Sequence, residues 1–216
     1  MSRAKADIAI IDYGMGNTHS VLTALTQVAP KNARISLTYD AQTILQASHV
    51  VFPGVGAIAD CMAAIVQYDL DQILAQVVKN KPLLGACVGM QALMSFSDEN
   101  NGVKCLNFFP GKVKRFTPGA AQSLKVPHMG WNQVQYPDSS ASHPLWRNIP
   151  DKSWFYFVHS YYLDCLEQEY TAGWCNYGHK FVAAAARENI FAVQFHPEKS
   201  HTHGLEIYKN FLNWHG

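Results

Sequence analysis

The sequence predicts an α/β protein with a mostly parallel central sheet, flanking helices and added antiparallel strands in the second half. In the first half, short apolar runs alternate with segments in which apolar residues recur at helical spacing. Repeated strand–helix units of this kind give parallel sheets with right-handed crossovers. The second half contains shorter alternating segments separated by Gly and Pro. No linker or repeat interrupts the chain, so we expect a single domain over residues 1–216.

Size and composition indicate an ordered globular protein. The chain has 216 residues, of which 48% are hydrophobic and 15% charged, and its formal net charge is +1. Nothing in this balance suggests nucleic-acid binding. No apolar run approaches the ~20 residues that span a bilayer, so no membrane association is expected. The apolar run Ile8 to Ile11 is too short for a signal sequence, and we expect a cytoplasmic location.

The first half predicts four strands with helices between them. The strands are continuous apolar runs, which is typical of strands buried on both faces, and they cover 7–14, 33–38, 48–54 and 82–87. A helix is expected after the first run, with Asn17 as its cap and Pro30 beyond its end. The remaining helical segments are 57–79, with a break near Tyr68, and a helix that begins in 88–96.

The second half predicts a change of architecture. Residues 102–136 indicate short, partly antiparallel strands, and further strands are expected at 153–162, 171–178 and 180–188. The segment 190–198 is expected to be a strand followed by a polar break. The alanine run within 180–188 is assigned to a strand because turn-like residues flank it. The C-terminal segment GLEIYKNFLNW places its apolar residues on roughly one face, which predicts a docking helix.

The segment GACVG places Cys87 between two glycines, where an apolar run passes into a helical segment. A G-x-nucleophile-x-G turn holds its nucleophile on a strained corner at the carboxyl edge of a sheet. The following helix N-terminus would lower the thiol pKa from its usual value of about 8.5. The alternative is a core cysteine in a Gly-rich turn. The five cysteines lack C-x-x-C spacing, which argues against a disulfide framework or a zinc site.

A thiolate nucleophile requires a base, an orienting group and an oxyanion hole. His196 follows the apolar run IFAVQF and is therefore expected at the carboxyl end of a strand. Glu198 lies two positions further, on the same side of an extended chain, and can reach the imidazole. The backbone N–H of Val88 would be one oxyanion donor. The glycine-rich segment FPGVG (52–56) can bring a second backbone N–H close to a ligand.

Two other motifs carry little weight. The segment GMGNTH (14–19) lacks the third glycine of a dinucleotide-binding loop. The two histidines of HTH (201–203) lack a third ligand, and we expect solvated polar residues before a helix there. We therefore expect neither a metal ion nor an organic cofactor.

The segments FPGVG, GACVGMQ and FHPE, in this order, resemble the class I, triad-type glutamine amidotransferases. The segments DYGMGN, PHMGWN, YFVHSYY and FHPEKS resemble the glutaminase subunits of imidazole glycerol phosphate synthases. The resemblance covers essentially the whole chain. It implies a flavodoxin-like arrangement of the sheet and hydrolysis of the side-chain amide of glutamine.

The resemblance also implies roles for particular residues. Cys87 would be the nucleophile, His196 the general base and acid, and Glu198 the orienting carboxylate. The positions around bound L-glutamine would be Gly54, Val55, Val88, Gln91, Glu99, His159, Ser160 and Tyr161, with Gly54 and Val55 in the oxyanion segment. The contacts with a partner protein would be Asn17, Met129, Trp131, Tyr156 and Lys199.

The implied partner is a (β/α)₈-barrel cyclase, in a heterodimer that channels ammonia from Cys87 into the barrel. There the ammonia would react with a phosphorylated aminoimidazole nucleotide to give imidazole glycerol phosphate and an aminoimidazole carboxamide ribotide (AICAR). A paralogous protein that supplies ammonia to a different synthase is the main alternative. An inert module that only regulates its partner is a weaker alternative, because Cys87, His196, Glu198 and Gln91 are all present. A hydrolase acting on another acyl substrate is made less favourable by Gln91 and Glu99.

Overall fold

The computed structural model describes residues 7–117, 124–138, 143–164 and 167–216. The strands in these ranges are β1 (Asp7–Ile11), β2 (Arg34–Thr38), β3 (His49–Gly54), β4 (Leu83–Cys87), β5 (Phe96–Ser97), β6 (Val103–Lys104), β7 (Lys112–Arg115), β8 (His128–Val134), β9 (Ser153–His159), β10 (Tyr161–Leu163), β11 (Thr171–Tyr177), β12 (His179–Arg187) and β13 (Ile190–Val193). The α-helices are α1 (Thr18–Val28), α2 (Ala41–Gln46), α3 (Ile58–Gln67), α4 (Leu70–Asn80), α5 (Val88–Ala92) and α6 (His201–Asn213).

One large sheet runs through the molecule in the order β2-β1-β3-β4-β13-β12-β10-β7-β5-β6, and β11 pairs with β12. The five strands from β2 to β13 are parallel to their neighbours. The pairs from β13 through β12 and β10 to β7 are antiparallel. Strands β8 and β9 form a separate antiparallel ribbon. The predicted α/β class, with a parallel half and an antiparallel half, is therefore confirmed.

Two apolar clusters cover the two faces of the sheet. Alternate residues of β1 belong to different clusters: Ile8 and Ile10 to one, Ala9 and Ile11 to the other. Helices α1 and α6 pack on the first face, and α2 to α5 on the second. Strand β4 is buried along its whole length between β3 and β13. The carboxyl ends of these three strands therefore meet at one edge of the sheet, where open α/β sheets form their sites.

The strands and helices expected in the first half are present, with two differences. Helix α5 ends at Ala92 because the chain then turns to pair Phe96 with Lys104 and Lys112. Helix α2 was not predicted, although Asp40 caps it by accepting a hydrogen bond from the backbone N–H of Thr43 at 2.8 Å. The break expected near Tyr68 is confirmed, since α3 ends at Gln67 and the next helix begins at Leu70.

Three local expectations were wrong. Asn17 precedes α1, but its side chain makes no capping hydrogen bond; its backbone carbonyl accepts the N–H of Val21 instead. The segment 153–162 is divided at Ser160, because β9 pairs with β8 while β10 joins the main sheet. His201 is the first residue of α6 and does not precede the helix. The strand through the alanine run is confirmed as β12.

Candidate active site

Cys87 lies on the sharp turn between β4 and α5. Its backbone has φ 54° and ψ −113°, a strained conformation for a residue with a side chain. The flanking glycines make the turn possible. A Cβ on Gly89 would lie 2.1 Å from the carbonyl oxygen of Phe52, and one on Gly85 would lie 2.9 Å from Cδ1 of Leu93. The turn therefore has the backbone geometry of a nucleophile elbow.

His196 and Glu198 form a buried pair beside this turn. Nδ1 of His196 and Oε1 of Glu198 are 2.8 Å apart, and the two side chains are 5% and 2% exposed. The backbone N–H of His196 donates to the carbonyl of Tyr156 at 2.9 Å, which fixes the residue to β9. Glu198 reaches the imidazole from a 3-10 turn, Pro197–Lys199, and not along an extended strand as the sequence suggested.

The surroundings of His196 favour its protonated form. Burial lowers the pKa of the imidazole, but the charge and hydrogen bonding of Cys87, followed by those of Glu198, outweigh it and raise the pKa to about 10. Because Nδ1 is engaged by Glu198, Nε2 is the nitrogen left to exchange protons with the sulfur and a substrate. His196 is therefore placed to hold a proton beside Cys87.

A cavity of about 330 Å³ opens above Cys87. It is lined by Val55, Gly56, Cys87, Val88, Gln91, Glu99, Pro127, Val158, His159, Ser160, Tyr161, His196 and Lys199. The structure thus brings most of the residues expected around a ligand to one cavity. Gly54 does not line it, because it packs against the start of α5: a Cβ there would lie 2.6 Å from the backbone nitrogen of Gly89.

The backbone carbonyl of Tyr161 joins two of the lining side chains. It accepts hydrogen bonds from Nε2 of Gln91 at 3.0 Å and from Nδ1 of His159 at 2.7 Å. A carbonyl only accepts, so Nδ1 of His159 carries the proton and Nε2 must accept from Nδ1 of His128, 2.9 Å away. Both ring nitrogens of His159 are therefore occupied by the protein.

Glu99 lies on another wall of the cavity. Its Oε2 accepts the backbone N–H of Ile58 at 3.1 Å, at the start of α3. A carboxylate at a helix N-terminus is favoured by the partial positive charge of the helix end. This contact holds the Glu99 carboxylate beside the cavity, where it can attract a cationic group of a ligand.

The two backbone N–H groups expected as oxyanion donors, those of Val88 and Val55, differ from each other in their hydrogen bonding. Val88 is the first residue of α5, where the N–H groups of the first turn lack partners within the helix. The N–H of Val55 instead donates to the carbonyl of Met15 at 3.2 Å. In this conformation the peptide between Gly54 and Val55 does not offer its N–H to the cavity.

The predicted partner contacts lie largely on one face of the β8–β9 ribbon. Met129 is 63% and Trp131 42% exposed, and Tyr156 pairs with Trp131 across the strands. Nζ of Lys199 lies 5.9 Å from the centre of the Tyr156 ring. Asn17 is half-buried at the start of α1.

Two residues of this region were missed by the sequence reasoning. Trp154 is 51% exposed and, two positions before Tyr156, lies on the same face of the ribbon. Period-two spacing in the predicted strand could have found it. His128 supports His159 from the buried side, which no local pattern indicates.

Within the described ranges, no group of three or more His, Cys, Asp or Glu side chains could hold a metal ion. No helix in these ranges is long and apolar enough to cross a membrane.

An open α/β sheet with a cysteine elbow and a His–Glu pair at its carboxyl edge is the architecture of a cysteine-dependent amidohydrolase. The family model of the class I glutamine amidotransferases matches residues 9–214. The chain therefore belongs to the class I glutamine amidotransferase family, as its motifs suggested.

The similar proteins agree with this membership. The chain is 52% identical to the imidazole glycerol phosphate synthase subunit HisH of Pseudomonas syringae pv. syringae, over 97% of this chain and 98% of that one. It is 53% identical to the protein of the same name from Nitrosococcus oceani, over 98% and 99%. The solved structure of PurLQS from Thermotoga maritima superposes with a TM-score of 0.69 at 14% identity, covering 97% of this chain and 98% of the other. At that identity the likeness shows the fold alone.

Proposed function

We propose that this chain is the glutaminase subunit of an imidazole glycerol phosphate synthase and hydrolyses L-glutamine to glutamate and ammonia. The observation that carries the proposal is the strained Cys87 turn, which shares one cavity with His196, whose Nδ1 is held by the buried carboxylate of Glu198. The name carried by relatives about half identical over nearly their whole length supports the choice of synthase.

The proposed reaction proceeds through a thioester. The Cys87 thiolate attacks the side-chain amide carbon of glutamine, and the carbonyl oxygen takes up the electron pair. As the C–N bond breaks, Nε2 of His196 gives its proton to the nitrogen, which leaves as ammonia. His196 then takes a proton from water, whose oxygen attacks the thioester carbon. The C–S bond then breaks, so that the sulfur leaves as a thiolate, the new carboxyl group loses its proton to solvent, and glutamate departs. His196 keeps the proton it took from water, which restores the starting state. Glu198 holds Nδ1 throughout, so that Nε2 does the proton transfers.

Substrate recognition follows from the charges and free polar atoms of the cavity. The carboxylate of Glu99 suits the α-ammonium group of glutamine. Both N–H bonds of the Gln91 amide point at buried acceptors, so its oxygen is left to accept from the ligand. His159 supports the Tyr161 carbonyl and Gly54 supports the elbow, while Ser160 and Tyr161 shape the wall.

Control of the reaction is assigned to the Gly54–Val55 peptide. With its N–H bonded to Met15, one oxyanion donor is missing, and such a loss costs roughly 10²–10³ in rate. Gly54 and Gly56 flank the peptide, and Gly56 already has φ +86°. A rotation that turns the Val55 N–H toward the cavity would complete an oxyanion hole formed by the backbone N–H groups of Val55 and Val88.

The partner is assigned to the exposed ribbon face. Met129, Trp131 and Tyr156, with Lys199 beside them, would contact a (β/α)₈-barrel cyclase, and Asn17 would lie at the edge of that contact. Ammonia would cross to the barrel and be used to form imidazole glycerol phosphate and AICAR in histidine biosynthesis. The whole chain, residues 1–216, would act as one domain of a cytoplasmic heterodimer.

The experiment is a glutamate-release assay on the full chain, alone and with the cyclase and its nucleotide ligand. Cys87→Ala is expected to keep glutamine binding and lose turnover, whereas Cys105→Ala, a cysteine outside the cavity, should keep both. Comparable turnover in Cys87→Ala would contradict the proposed nucleophile. A chain whose glutamine hydrolysis is the same with and without the cyclase would instead be a freestanding glutaminase.

A further inference from the structure

Gln194 is a fully buried polar residue directly below the elbow. It follows β13, whose Val193 is paired with Ala86 of β4, so Gln194 is next to Cys87 across the sheet. The side chain is 0% exposed. Its Nε2 lies 3.8 Å from Sγ of Cys87, and its Oε1 lies 3.0 Å from Nε2 of Gln91. A buried amide thus touches both the nucleophile and a cavity-lining side chain.

The orientation of this amide is fixed by a backbone atom. Nε2 of Gln91 also lies 3.0 Å from the carbonyl oxygen of Tyr161, which can only accept a hydrogen bond. That atom of Gln91 must therefore be the nitrogen, with one hydrogen for Tyr161 and one for Gln194. Gln194 must offer its oxygen to Gln91, and its own nitrogen then points at the sulfur.

The sulfur has a different partner for each of its protonation states. As a thiol it can donate to the carbonyl oxygen of Val158, 4.0 Å away, at the limit for a sulfur donor. As a thiolate it can only accept, and the N–H of Gln194 is then a donor to it besides His196. Hydrogen bonds to an ionised group are stronger than neutral ones, and burial strengthens them further. The Gln194 contact therefore favours the thiolate.

We propose that Gln194 is a further catalytic residue, which donates a hydrogen bond to the Cys87 thiolate and holds the Gln91 amide with its oxygen toward the cavity. This inference rests on the glutaminase function proposed above. The Gln194 side chain would then link the charge on the Cys87 sulfur to the Gln91 oxygen that accepts a hydrogen bond from the substrate. Loss of the amide would reduce thiolate formation and loosen substrate binding together.

The variants separate hydrogen bonding from packing. Gln194→Met keeps much of the volume and removes the donor. Gln194→Glu keeps the shape, but its ionised form repels the thiolate and its protonated form can still donate. Asn210→Leu is the matched control, because Asn210 is a buried amide, 6% exposed, that donates to the carbonyls of Leu145 and Arg147 away from the cavity.

The first measurement is the rate of Cys87 alkylation by iodoacetamide on the full chain, followed by peptide mass spectrometry from about pH 5 to pH 10. For Gln194→Met we expect the midpoint of the profile to move up by about one pH unit, and for Gln194→Glu by more. Asn210→Leu should keep the wild-type midpoint. If Gln194→Met does not fold, as judged by its thermal unfolding, the Glu variant carries the test. A wild-type midpoint in every folded Gln194 variant would overturn the proposal.

The second measurement is glutamate release by the complex with the cyclase. We expect kcat to fall about 10- to 100-fold in Gln194→Met, with a higher KM. Gln194→Glu should recover part of its activity toward low pH, where its carboxyl is protonated, and an unchanged kcat and KM would also overturn the proposal. The alkylation profile does not require glutamine hydrolysis. A wild-type chain that fails to hydrolyse glutamine would therefore contradict the proposed function, and the profile would still decide the sulfur–amide contact.

Discussion

The backbone N–H of Val55 donates a hydrogen bond to the carbonyl oxygen of Met15 over 3.2 Å. The same N–H belongs to the segment that sequence identified as the source of an oxyanion donor. A second contact holds this segment from below, where the hydroxyl of Tyr13 donates to the carbonyl of Pro53 at 3.0 Å. The loop after β1 thus fixes the segment in a conformation in which the Val55 N–H does not face the cavity above Cys87, so that the proposed oxyanion hole would lack one donor.

The first prediction is that partner binding raises turnover through kcat. A rotated Val55 peptide stabilises charge that exists only in the transition state, so KM should change little. Steady-state glutamate release is measured for the lone chain, the complex and the complex with its nucleotide ligand. We expect kcat to rise by up to about 10²–10³ across this series. An equal kcat in all three states would refute the switch and favour a freestanding glutaminase.

A spectroscopic readout tests the same rotation without turnover. In a chain labelled with ¹⁵N-valine, the Val55 amide signal can be assigned by its loss in Val55→Ile. The signal should shift when the liganded cyclase breaks the hydrogen bond to Met15, whereas Val77, buried in α4, should keep its position. An unmoved Val55 signal in an activated complex would place the switch elsewhere.

The second prediction separates the roles of His196 and Glu198. Glu198→Gln can still present an oxygen to Nδ1 and hold the tautomer, but it loses the charge that stabilises the imidazolium. His196→Ala removes the proton transfers, which are worth about 10²–10⁴ in rate. We therefore expect the larger loss of kcat in His196→Ala. A more damaged Glu198→Gln would require the two roles to be reassigned.

The parts of the site that sequence predicted are those set by contiguous residues. The elbow needs only Gly85, Cys87 and Gly89 in one short segment between a strand and a helix, and His196 with Glu198 needs only a strand end and a turn. The parallel strands were likewise predictable because each is an apolar run long enough to be buried. Local pattern suffices where geometry is decided within about ten residues.

The parts that sequence did not predict depend on residues far apart in the chain. The Val55–Met15 hydrogen bond joins the ends of β3 and β1, and the contact of Gln194 with Cys87 exists because β13 lies beside β4. The division at Ser160 arises because β9 pairs with β8 in a separate ribbon. None of these partners is encoded by periodicity.

The third prediction concerns stability in acid. Burial lowers the pKa of His128 to about 4 and that of His159 to about 3, the latter also under the charges of His128 and His196. In the unfolded chain both would take up protons near pH 6.5, so folding stability is complete above that pH and falls as pH drops toward 4. We expect the free energy of unfolding to decrease between pH 7 and pH 5 by on the order of 1–2 kcal/mol for each histidine.

Urea unfolding at pH 7 and pH 5 measures this difference. His128→Gln should flatten the pH dependence, because it removes one of the groups with a lowered pKa. His159, together with His143, whose pKa burial also lowers to about 4, keeps part of the slope. His19→Gln, at an exposed position of α1, should behave like the wild type. The same pH dependence in His128→Gln and the wild type would contradict the assignment.

The last prediction concerns the exposed face of the β8–β9 ribbon. Trp154 is 51% exposed and shares this face with Trp131 and Tyr156. Truncation of a large aromatic side chain at the centre of an interface commonly costs more than about 1 kcal/mol of binding free energy. Trp154→Ala should therefore raise the Kd for the cyclase about tenfold, as measured by calorimetric titration. The cavity above Cys87 is not lined by Trp154, so glutamine affinity of the lone chain should be unchanged. Tyr39→Ala is the matched control, because Tyr39 is 57% exposed but packs on Tyr68, beside α3. An equal loss in both variants would mean that the effect is not specific to the ribbon, and no loss in Trp154→Ala would place the cyclase on another surface.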